Sequence, residues 1–84
     1  MEEDLSLKIK LLKEELINLS DNKDFLKAKK NETWELYLER ILKIKKPICM
    51  IESFIFIILL SDNFELSTRE KNLALDKLNF CRRS

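Results

Sequence analysis

The sequence predicts an all-α fold, a small four-helix bundle of two helical hairpins that dimerisation would complete. Three observations lead there. Apolar residues recur at helical spacing in separate stretches. The breaks between those stretches are short and polar. Nothing in the chain resembles a pair of strands able to satisfy each other's backbone groups. Eighty-four residues make a single helical domain, 1–84, because so short a chain builds only one core. Folding at this size buries roughly 64% of the extended-chain surface, so hydrophobic gain and ordering entropy nearly balance.

The first helix spans Leu5 to Leu19, where Leu5, Ile9, Leu12, Leu16 and Leu19 form one seam at heptad spacing. Glu2, Glu3 and Asp4 stand at its start, where negative charge complements the positive end of the helix dipole. Ser20, Asp21 and Asn22 stop it, with the Asn expected in the left-handed cap position that glycine takes elsewhere.

Asp24 to Lys30 is basic and weakly patterned, and its assignment stays open. From Asn31, the expected cap of a second helix, Trp34, Tyr37, Leu38, Ile41, Leu42 and Ile44 gather on one face, opposite Glu32, Glu35, Glu39 and Lys43. Pro47 ends the run because the preceding Lys46 is pushed away from helical angles. Pro47 itself suits the first turn of a third helix.

Ile48 to Leu60 is apolar except for Glu52 and Ser53. Helix is chosen over strand here, since a lone strand would leave its backbone groups unpaired. Thirteen helical residues reach about 20 Å, short of the roughly 30 Å hydrocarbon core, so no transmembrane span is expected. Ser61, Asp62 and Asn63 repeat the Leu-Ser-Asp-Asn met at Leu19 to Asn22 and are read as a second helix-ending turn. Ser67 and Glu70 stand at capping-box spacing. They open a last helix whose apolar arc is Leu73, Ala74, Leu78, Phe80 and Cys81, ending at Arg82 and Arg83. The third helix, apolar all round, is expected at the centre of the bundle.

The absences matter as much. The chain has no glycine and no histidine. Without glycine there is no P-loop, dinucleotide-binding turn or nucleophile elbow. Without histidine the commonest general base and the Ser-His and Cys-His pairs are missing, so no enzymatic activity and no cofactor are expected. Cys49 and Cys81 form no Cys-x-x-Cys unit and cannot complete a zinc site alone; they are read as buried thiols. Glu52 is read as a buried carboxyl satisfied by a Lys, a Tyr or the backbone. The acidic start, Met-Glu-Glu-Asp, lacks the pattern of a secretory signal, which makes a cytoplasmic protein the expectation.

Function is read from surplus apolar area. Leu7 and Leu11 fall almost opposite the seam of the first helix, so two faces of one helix ask for burial. Together with Phe54 and Ile58 of the third helix they are the expected partner-binding residues, the partner being another protein or a second copy of the chain. A nucleic-acid-binding alternative uses the alternation of acidic and basic blocks along the chain. Lys27, Lys29, Lys30, Lys43, Lys45 and Lys46 would contact phosphates, and the last two helices would imitate a helix-turn-helix with Arg69 and Asn72 at base edges. A net charge of only +1 and Asp76 on the presumed reading face argue against it.

Overall fold

The computed structural model describes residues 2–78. Four helices follow one another: α1 (Glu2–Ser20), α2 (Trp34–Ile44), α3 (Met50–Asn63) and α4 (Thr68–Leu78). Each packs chiefly on its neighbour in the chain, and the described residues contain no strand, giving the all-α four-helix bundle that the spacing predicts. Phe80, Cys81, Arg82 and Arg83 lie outside the described residues. No described helix is long and apolar enough to cross a membrane.

The core is built mainly on α3, whose Ile55, Phe56, Ile57, Leu59 and Leu60 are buried. Around it α2 places Trp34, Tyr37, Leu38 and Ile41, α1 places Leu12 and Leu16, and α4 places Ala74 and Leu78. The seam of α1 is therefore buried only in its middle. Leu5 and Leu19, at its two ends, are exposed.

Helix ends differ from the sequence expectation in instructive ways. Asp21, not Asn22, takes the left-handed conformation after α1 (φ 57°). The Asp21 N–H donates to Asn18 O at 3.3 Å and the Asn22 N–H to Ile17 O at 3.4 Å, the paired bonds of a Schellman closure. Asn22 instead uses its side chain to accept from the Asp24 N–H at 2.9 Å, starting the next turn. Asn31 does not cap α2. It sits left-handed in the connection (φ 66°), and Thr33 is the cap, its Oγ1 accepting from the Leu36 N–H. Asp24 to Lys30 forms turns rather than helix, anchored by buried Phe25.

Pro47 is buried ahead of α3 instead of opening it; Cys49 holds the cap position and Met50 begins the helix. Ser61 to Asn63 is no turn either, since α3 continues through Asn63. The identical four residues end one helix and extend another because Asn63 has long-range partners. Its amide donates to Leu26 O, Tyr37 Oη and Leu59 O, each at 3.1 Å, and its Oδ1 accepts from the Ala28 N–H at 3.1 Å. The capping box before α4 forms as expected: Glu70 accepts from the Ser67 N–H at 2.9 Å, and Ser67 Oγ accepts from the Glu70 N–H at 3.1 Å. The Ser67 backbone bond holds the Glu70 carboxyl below its ordinary range, with the Ser67 hydroxyl and the Trp34 side chain acting in the same direction.

The long connection between α1 and α2 is fastened by Arg40. Its guanidinium grips Glu32 through Nε (2.9 Å) and Nη2 (3.0 Å) and donates to Phe25 O (2.6 Å) and Lys27 O (3.1 Å). It also lies over the rings of Phe25 and Tyr37, 4.9 and 5.1 Å from their centroids. Glu32, expected on the outer face of a helix, thus precedes α2, and its side chain is only 8% exposed. The Tyr37 hydroxyl completes the fastening by donating to Leu26 O.

Candidate functional site

A groove of about 280 Å³ runs between the middle of α1 and the start of α3. Its floor is Leu12 and Ile55, both part of the core. Its walls are Leu11 from α1, Ile51 from α3 and Cys49, the cap residue just before α3, all exposed. Heptad spacing explains the α1 side. Lys8, Leu11 and Glu15 stand at i, i+3 and i+7 and share one stripe on the flank of the buried seam, so Leu11 faces the α3 side and is not opposite the seam as its spacing suggests. On the α3 side, Pro47 and the extended cap residue Cys49 deliver Met50 and Ile51 at the helix start, beyond the cover of α2 and α4.

The rim is charged. Lys8 borders the α1 wall and makes no ion pair among the described residues. Glu15 and Glu52 border the groove near Lys45, whose ammonium lies 3.3 Å from Glu15 and 3.9 Å from Glu52. Glu52 also accepts from the Ile48 N–H at 2.9 Å, so the backbone and lysine partners expected for this carboxyl are both present, although it is only partly buried. A wet, charged border around an apolar floor is the ordinary anatomy of a protein–protein contact.

The partner-binding residues read from the sequence are distributed unevenly over this surface. Leu11 is 53% exposed and forms a wall of the groove. Leu7, equally exposed, stands one turn earlier on α1. Phe54 is 57% exposed on α3, while Ile58 is half-buried; neither lines the groove. Sequence reasoning missed Ile51, which is 42% exposed, because an unbroken apolar run gives no contrast between its covered and uncovered sides. It also misplaced Cys49. The thiol is free and exposed, since position 49 is the non-helical cap at the mouth of the groove and not a turn of the buried helix.

The nucleic-acid residues fare differently. Lys43 and Lys46 come together around a shallow hollow of about 320 Å³ with Leu42 and Glu39, so a carboxylate shares their surface. Lys27 is paired with Asp24 at 3.5 Å, and Lys29 and Lys30 are exposed on the α1–α2 connection. Lys45 is removed from any phosphate surface: its side chain is largely buried and its charge is committed to Glu15 and Glu52. Arg69 and Asn72 are exposed on α4, four residues of connection after α3.

Comparison with protein-family models, with curated proteins and with solved structures found no match, so the function rests on the chain's own geometry.

Proposed function

We propose that this chain is a non-enzymatic protein-binding module that docks an apolar helix face in the groove between α1 and α3. The observation that supports this reading is the juxtaposition of Leu11 and Ile51, both well exposed, over an apolar floor inside a charged rim. Scattered surface leucines need no explanation, but apolar side chains gathered from two helices around one concavity do. A helical partner fits because a groove between helices takes side chains at i, i+3 and i+4 from one face of an amphipathic segment.

Selection of binders from a displayed library of random helical peptides tests this without knowledge of the natural partner. Enriched peptides should carry apolar residues at that spacing. Their affinity should fall at least about tenfold against Leu11→Asp, since a charge on the wall of an apolar groove costs more than ~1.4 kcal/mol. The helical circular dichroism of the variant should be unchanged, because Leu11 lies off the buried seam. Enrichment of no peptide, or equal binding to parent and variant, overturns the reading.

A further inference from the structure

Resting on that reading, we infer that the occupant of the groove is a second copy of this chain, docked with its α1 antiparallel to the first about a two-fold axis near Leu11. A two-fold interface must be complementary to itself, because each patch meets its own image. Most grooves fail that requirement. This one satisfies it through the order of residues along a single stripe of α1.

Lys8 lies three residues before Leu11 and Glu15 lies four after it, all three on the groove. When a second α1 is turned antiparallel about a point between Leu11 and Leu12, its Glu15 comes opposite Lys8 and its Lys8 comes opposite Glu15. Both contacts are attractive and the two leucines meet between them. The charges are available for it. Lys8 has no ion pair among the described residues, and Glu15 and Glu52 share one ammonium, leaving a carboxylate charge in excess. The apolar parts match as well: Leu7 and Leu11 project from α1 with 53% of each exposed, beside the concavity a mate's leucines would enter. A parallel arrangement would set Lys8 against Lys8 and Glu15 against Glu15, with repulsion at both ends.

Sedimentation equilibrium on parent chain, Lys8→Glu, Glu15→Lys and an equal mixture of the two variants tests the inference. The parent should dimerise reversibly. Each variant alone places like charges at both ends of the contact and should dimerise about tenfold or more weakly. In the mixture every contact is again Glu against Lys, so a heterodimer of near-parent affinity should return. Circular dichroism confirms that each variant is folded, and Leu11→Asp, which leaves the Lys45 pairs intact, serves as a second monomeric variant. A parent chain that stays monomeric at every concentration, or a mixture that associates no better than its components, overturns the second-copy inference. Peptides recovered by the library selection would still support the docking groove in that case; failure of both experiments removes the groove as a binding site.

Discussion

Arg40→Met strips the longest connection of the fold of its fastening in one step. The substitution keeps a flexible apolar stem over Phe25 and Tyr37 but removes both hydrogen bonds to Glu32 and the donors to Phe25 O and Lys27 O. The carboxylate of Glu32, whose side chain is 8% exposed, is left without its cation. Breaking a buried pair on one side costs about 3–5 kcal/mol, and the partial exposure of Arg40 places the loss near the bottom of that range, about 3 kcal/mol. A chain of 84 residues has roughly 4–13 kcal/mol of total stability, so the loss is a large fraction of it. At about 4–8 °C per kcal/mol, the melting temperature should drop by roughly 12–24 °C. Urea denaturation followed by Trp34 fluorescence, the only tryptophan, measures the change. Arg40→Met combined with Glu32→Met should recover the part of the loss that the unpaired carboxylate causes, while Phe25 O, Lys27 O and the Lys29 N–H still lack their partners. A single variant within about 1 kcal/mol of the parent, or a double variant no better than the single, would refute the assignment of Arg40 as the fastening. Acid unfolding carries the same signature. The hydrogen bond from Arg40 holds the Glu32 carboxyl below its ordinary 4.5. The folded value lies beneath the unfolded one, so this stabilisation is complete above the ordinary carboxylate range and is lost as pH falls through the lower folded value. Arg40→Met should flatten that limb of the pH profile.

Other sites give independent checks. Burial pushes the Tyr37 hydroxyl up to about 12 from an ordinary 10. The unfolded chain therefore releases this proton first, and the Tyr37 contribution to stability is lost as pH rises between those values. An absorbance titration of this sole tyrosine should show a midpoint near the upper value; a midpoint at the ordinary one contradicts its burial. Ser53 Oγ is buried without a hydrogen-bond partner among the described residues, so Ser53→Ala should stabilise the chain by about 1 kcal/mol in urea titration; a loss of that size would reveal a partner for the hydroxyl. Leu12→Asp and Ile57→Asp should each abolish the cooperative thermal melt by burying an unpaired charge, and an unchanged melt in either would reverse the assignment of inside and outside. Duplex DNA titrated at two salt concentrations addresses the basic side chains. Little binding is expected even at low salt, because Lys45 is committed and Lys43 and Lys46 sit beside Glu39; steeply salt-dependent affinity would favour the nucleic-acid reading instead.

Local chemistry that acts within one helix was legible from residue order. The α1 seam, the apolar face of α2, the helical choice for the run after Pro47 and the Ser67–Glu70 box all depend on spacings of three or four residues, which a helix turns directly into contacts. What escaped depends on residues far apart in the chain. Asn63 continues α3 because Leu26, Ala28 and Tyr37 need its amide, and no feature of Leu-Ser-Asp-Asn distinguishes that copy from the one closing α1. Glu32 and Arg40 are eight apart, a separation that pairs no side chains within a helix, so their bond became visible only with the turn between them. The groove was half legible. Leu7 and Leu11 stood out because they interrupt a polar face, whereas Ile51 was concealed among equally apolar neighbours and Cys49 was misjudged because its cap position depends on where Pro47 leaves the chain.

The exposed thiol of Cys49, set in the groove wall, offers the most direct measurement of whether that groove is the working surface. In a Cys81→Ser background, the rate of maleimide reaction at Cys49 is followed across a wide range of protein concentration. The rate should fall as concentration rises and copies cover the groove, and Leu11→Asp should react at the fast, dilute rate throughout. A rate independent of concentration in the parent, equal to that of Leu11→Asp, would contradict occupation of the groove by a second chain.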